Sequence, residues 1–196
     1  LSKKIALYLL DFAKDSEQFR YHNYPVNQLF GIQNGYPSFM EAQHQVNSVA
    51  DAENYLSRLE KVKHKFNQEL EGIRLREEKG IIPPAFVIER VLEEMNNFVD
   101  KPIEENILYS SLAKKMSDSE NISADEQQQL LAKAKNNIKT FVHPAYQSLI
   151  TYFSNLQAKA TMMAFGVYLM VIRRMPVHYS FSPQQIIRRN IFMMLV

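Results

Sequence analysis

The stretch SADEQQQLLAKAKNNIKTFVHPAYQSLITYFSNL, Ser123 to Leu156, decides the fold class. Ser123-Ala124-Asp125-Glu126 has the form of a capping box, in which the serine hydroxyl accepts from the amide three residues on and the glutamate reaches back to the serine amide. From there Leu130, Leu131, Ala134, Ile138, Phe141 and Val142 recur at helical spacing and line one inner face. Pro144 removes one backbone hydrogen bond and crowds the carbonyl four residues earlier. Tyr146, Leu149, Ile150, Phe153 and Leu156 then resume the same period, so the spacing predicts a kink rather than an end.

Working back towards the N-terminus, other helices follow by the same reasoning. Asn47 or Ser48 caps a second helix carrying Val49, Ala52, Leu56 and Leu59 on its buried stripe, with Asp51 and Glu53 where the helix dipole favours acids. A third segment presents Phe66, Leu70, Ile73 and Leu75 and stops at Gly80, placed for the left-handed position past a helix end. Pro84 suits a first helical turn, and Val87, Val91, Leu92, Met95 and Phe98 continue as a fourth helix. Asp100 to Ile122 reads as a short helix and an exposed turn. At the start, Ile5, Leu9, Phe12 and Ala13 predict a helix ending near Ser16. Between Tyr21 and Met40, Pro25, Gly31, Gly35 and Pro37 leave no room for a helix of normal length, so an irregular, aromatic-packed connection is expected. The sum is an all-α, antiparallel helical array with a long Pro-kinked helix, no repeat and little room for a sheet.

The 196 residues fit one domain or a compact piece of a larger one, and 46% hydrophobic with 22% charged residues exclude disorder of the whole chain. With no cysteine there is no disulfide framework, thiolate metal site or cysteine nucleophile. The chain opens at Leu1 with neither a leader pattern nor an initiator methionine, so its start is expected to be internal to a gene product. The most apolar run, Met162 to Ile172, is too short for a spanning helix, which needs about 20 residues.

Charge is divided unevenly. All 21 acidic residues precede residue 127, while Lys133, Lys135, Lys139, Lys159, Arg173, Arg174, Arg188 and Arg189 lie beyond it. Met162, Met163, Met170, Met175, Met193 and Met194 also crowd the end of the chain. Composition therefore marks a boundary near residue 160, dividing a helical region 1–160 from an atypical, basic, Met-rich tail 161–196. Basic pairs among apolar residues suit anionic surfaces, but the pattern matches no nucleic-acid-binding module, and no nucleic-acid partner is expected.

No catalytic or metal motif is readable. His22, His44, His64, His143 and His178 are all more than four residues apart, whereas a helical zinc site of the H-E-x-x-H type needs two imidazoles one turn apart. They read as partly exposed or core-edge histidines. Phosphate-cradling glycine loops and the nucleophile elbow are also missing. Glu69, Glu71, Glu77, Glu78, Glu89, Glu93 and Glu94 cluster in sequence, but on faces away from the apolar stripe and close to basic residues, the pattern of a solvated surface. The expected site residues are none: no catalytic, cofactor-binding or metal position.

Four segments carry a resemblance: Tyr24 to Gly31 with Pro37-Ser38-Phe39, Val49 to Leu59, Gly80 to Val87, and Val142-His143-Pro144-Ala145-Tyr146. In this order and spacing they resemble the N-terminal part, about residues 1–160, of the bacterial family called domain of unknown function 885, many of whose members are described as lipoproteins. The resemblance implies a mostly helical protein similar to zincin-type metallopeptidases, with zinc held by an H-E-x-x-x-G-H-H helix much further along and peptides as substrates of the full-length protein only. It implies a cell-envelope or periplasmic setting, and for this chain a catalytically silent fragment without zinc that self-associates through exposed apolar surface. The family continues with an Asp-Gly-x-Trp-x-x-Pro-Asp-Gly stretch, from which this chain departs. Met162-Met163-Ala164-Phe165-Gly166, encoded ATG ATG GCN TTY GGN, forces Asp-Gly one base out of register and permits Val-Trp next. Residues from about Thr161 to Val196 are thus read as the product of a one-base frameshift. A reading from a different class is a non-catalytic helical interaction module whose basic, apolar tail engages a protein partner or a membrane surface.

Overall fold

The computed structural model describes residues 2–160, within the first of two units into which the chain divides, Leu1–Met162. The tail 161–196, its proposed frame and His178 lie outside the described residues. Within them the fold is all-α, with helices α1 (Ser2–Ser16), α2 (Ile32–Ala42), α3 (Val49–Glu78), α4 (Ala85–Asp100), α5 (Ile107–Ser117), α6 (Ala124–Asn137) and α7 (His143–Gln157).

The expected second and third helices are one, the 30-residue α3, about 45 Å long at 1.5 Å per residue. Val62 bridges the stripes: Ala52, Tyr55, Leu56, Leu59, Val62, Phe66, Leu70 and Ile73 are all buried, with no proline or glycine in residues 60–65, where the two stripes meet. Leu75, expected on the same side, is 45% exposed. Ser48 caps the start, its Oγ accepting from the Asp51 amide at 3.2 Å while donating to the Asp51 carboxylate at 2.8 Å. At the other end Gly80 takes φ +75°. Its amide donates to the Glu77 carbonyl, and the Ile81 amide donates to that of Arg76, a Schellman closure. Pro84 stands one position before α4, as its N-cap, so the proline fixes the helix start from outside the first turn.

The largest departure is α2, an 11-residue helix running through Gly35 and Pro37 where an irregular connection was expected. Two tertiary features explain it. Pro37 has no N–H, so the carbonyl of Gln33 loses its helical partner; the Tyr146 hydroxyl of α7 donates to that carbonyl at 2.6 Å. At the C-terminal end, Lys115 of α5 donates to the carbonyls of Met40 and His44, both at 2.7 Å. Gly31 permits the entry, with φ +153° and a backbone position where a Cβ would stand 2.1 Å from Gln33 Oε1.

The interruption before Pro144 is a π-turn, Ile138–Val142, which runs directly from α6 into α7. The His143 amide donates to the carbonyl of Ile138, five residues back, and this widened turn takes up the disruption that a helical proline causes. Ser123 and Glu126 form the expected capping box. Leu131 and Phe141, expected on the inner face, are half-buried beside the buried Leu130, Ala134, Ile138 and Val142.

Four elements meet in one aromatic cluster. Tyr146 of α7 stacks on Phe98 of α4 at 4.1 Å between ring centroids and lies 5.0 Å from Phe66 of α3. Phe66 in turn meets Tyr36 of α2 edge to face, the offset and T-shaped geometries that ring quadrupoles favour. The hydroxyl of Tyr55 adds a buried hydrogen bond to the Leu108 carbonyl at 2.9 Å, tying α3 to α5.

Candidate functional site

Several polar places among the described residues combine side chains of more than one element. The first surrounds His44, just past α2. Its Nδ1 lies 2.8 Å from Arg58 Nη1 and its Nε2 3.1 Å from the Asp51 carbonyl. A guanidinium only donates and a carbonyl only accepts, so the ring is neutral with its proton on Nε2. Burial, with the nearby positive charges of Arg58 and Lys115, lowers its pKa against the opposing hydrogen bond to Asp51. The edge-on ring of Tyr55 closes the site at 5.0 Å. A metal would need the Nδ1 lone pair that Arg58 occupies and would meet that cation, so His44 works as a structural clamp between the end of α2 and the start of α3.

The second place is the open cleft beside the π-turn, bordered by Asp100, Lys139, His143, Gln147, Ser148 and Thr151. His143 Nε2 is buried without a hydrogen-bond partner, and burial lowers the pKa of the ring. The Ser148 hydroxyl is turned back to the Pro144 carbonyl, which leaves one imidazole and one carboxylate at the cleft, short of the three protein ligands of a catalytic zinc site.

The third is a cavity of about 510 Å³ between α2, α4 and α5, reached by Tyr146 of α7. Asn34 donates to Glu94 across it at 3.1 Å, and Glu105 and Lys101 stand at its edge. Gln33 is 2% exposed; its Nε2 donates to the Asn27 carbonyl, while its Oε1 has no partner. This arrangement holds the entry of α2 in place, and Glu94 is engaged there by Asn34.

The carboxylates singled out from the sequence do not converge. Glu69 pairs with Lys65 and Glu93 with Arg90, Glu94 holds Asn34, and Glu71, Glu78 and Glu89 are exposed. Glu77 accepts from Lys159 at 2.8 Å and from the Tyr152 hydroxyl at 2.5 Å, contacts that hold its carboxyl below the usual range. His22 and His64 are exposed. Among the described residues no group of three or more His, Asp or Glu could hold a metal ion, and no helix is long and apolar enough to cross a membrane. Sequence reasoning missed Gln33, Asn27 and the role of the Tyr146 hydroxyl. The available signal was Pro37 itself: a proline within a helix demands an outside donor for the carbonyl four residues back.

This chain belongs to the family described as bacterial protein of unknown function (DUF885), whose model matches residues 2–179. The match runs past residue 160, further than the four segments quoted above. No curated protein matches. Among solved structures the chain is similar to the putative lipoprotein from Colwellia psychrerythraea, with a TM-score of 0.73 and 18% identity, over 84% of this chain but only 29% of that one. The shared property is the fold, and the chain spans less than a third of the relative's length.

Proposed function

We propose, from membership in this family, that the chain is the N-terminal, non-catalytic helical part of a larger metallopeptidase-like protein, whose metal-binding helix belongs to the portion not represented here. The observation that carries this reading is the coverage: the fold accounts for 84% of this chain and 29% of the solved relative. The local chemistry agrees with it. The Nδ1 lone pair of His44 is engaged by Arg58, the Glu77 carboxylate by Tyr152 and Lys159, and the Tyr146 hydroxyl by the α2 backbone, so these groups hold helices together. The role proposed for the region is to build and brace one side of the complete fold.

Metal analysis of the purified chain tests this directly. The expected result is no stoichiometric zinc after dialysis, and one tightly held equivalent per chain overturns the reading. The proposed frame of the tail is checked separately by sequencing the coding DNA across codons 155 to 196 and onward. A shifted frame reading Asp-Gly-x-Trp and continuing to an H-E-x-x-x-G-H-H segment is expected. An uninterrupted frame that closes without it removes the frameshift.

A further inference from the structure

The described residues leave one helix without a partner. In α1, Ile5, Leu7, Tyr8, Leu9, Leu10 and Phe12 are 50–68% exposed, and no residue of the helix is buried. At 100° per residue, Tyr8, Phe12, Ile5, Leu9, Ala13, Ala6 and Leu10 span an arc of about 200°, roughly twice the width of the stripe that a surface helix presents to a core. A second, independent feature points the same way. Asn27 Oδ1 accepts from the amides of Leu29 and Phe30 at 2.9 and 2.8 Å, and Asn27 Nδ2 donates to the Tyr24 carbonyl. This hydrogen-bonded turn holds Leu29 70% and Phe30 75% exposed. Large apolar side chains fixed in water by ordered backbone are the usual form of a contact surface.

We infer that α1 and the Leu29–Phe30 turn are the docking surface for the rest of the family polypeptide, with α1 an interior helix of the complete fold. This rests on the reading above that the chain is part of a larger protein. The occupant follows from two observations. More than two thirds of the solved relative lies outside the shared region, which supplies a body large enough to enclose a helix. A second copy would bury one narrow seam, as paired helices do, and leave much of a 200° arc wet.

Hydrogen exchange on two full chains tests it. In this chain, α1 amides are expected to exchange at near-unprotected rates while α3 is protected. In the full-length Colwellia relative, the segment aligned with Ser2–Ser16 is expected to exchange about a hundredfold slower than in this chain. Equal, fast exchange in both overturns the inference. So does protection of α1 in this chain that vanishes on dilution, which would make a second copy the occupant, or that appears only with anionic phospholipid vesicles, which would make it a membrane. The variant carrying Leu7→Glu and Leu10→Glu is expected to melt within about 1 °C of the parent chain, because neither side chain is packed; a larger fall also overturns it. Zinc content is independent of all these readouts, so a bound zinc would remove the proposed function while the exchange result still judged the docking surface.

Discussion

Helices α1 and α7 are each 15 residues long and each rich in aromatic and aliphatic residues, yet their situations are opposite. In α7, Ala145, Tyr146, Leu149, Ile150, Phe153 and Leu156 are buried; in α1 nothing is. The comparison separates two properties that periodicity alone runs together. A hydrophobic stripe states that a helix requires a partner, whereas burial depends on whether that partner is present. For α7 the partners α3 and α4 lie within the described residues, and for α1 they do not.

Truncation at matched aromatic positions gives the widest test of this contrast. Phe153→Ala in α7, at a position 1% exposed and edge to face with Tyr152, is expected to cost about 3–5 kcal/mol, because it opens a cavity in the core. Phe12→Ala, at a position 60% exposed, is expected to cost less than about 0.5 kcal/mol. Denaturant titration of both variants measures the difference, and equal losses would erase the distinction between the two helices.

A sharper version concerns one hydroxyl. Tyr146→Phe leaves the stacking on Phe98 possible but strips the donor from the buried Gln33 carbonyl, an expected loss of about 1–3 kcal/mol. In a Pro37→Ala background the new amide restores the helical bond, and the same hydroxyl deletion should then cost clearly less. A double-mutant cycle reads the coupling, and strict additivity would show that Tyr146 does not substitute for the missing amide.

Local devices should contribute smaller amounts that depend little on distant packing. Ser123→Ala removes one half of the capping box at α6 and is expected to cost about 1 kcal/mol in a chemical melt. The histidine clamp sets a gentle pH dependence. Burial lowers the folded-state pKa of His44 and of His143 from the ordinary 6.5, so between the folded and unfolded values the unfolded chain binds more protons. Stability is therefore fully present above pH 6.5 and declines as pH falls from there through the folded pKa. Melting temperatures from pH 8 to pH 5 are expected to show this decline, and His44→Gln should make it shallower; an unchanged slope would remove His44 from the effect.

Legibility in the sequence followed the range of the interactions. The Ser48 and Ser123 caps, the Gly80 stop and the resumption of helix after Pro144 could be read because each signal lies within a turn or two of the residues it governs. The setting of a polar residue is not local in this way: His44 reads from the sequence as a partly exposed or core-edge histidine, and its role as a clamp depends on Arg58 and the Asp51 carbonyl beside it. The two stripes of α3 belong to one helix because Val62 links them, and that period is visible in the chain.

By itself, then, the sequence determined that the described region is helical, where most of its helices start and stop, and which faces are apolar, since backbone hydrogen bonding, capping and side-chain period are local. Tertiary structure decided that residues 32–42 could be a helix at all, because the carbonyl orphaned by Pro37 is satisfied by a tyrosine 113 positions away in sequence. It also decided which apolar faces are covered: α7 lies against its partners, while α1 remains exposed among the described residues, for burial is a property of two surfaces and a sequence pattern describes only one of them.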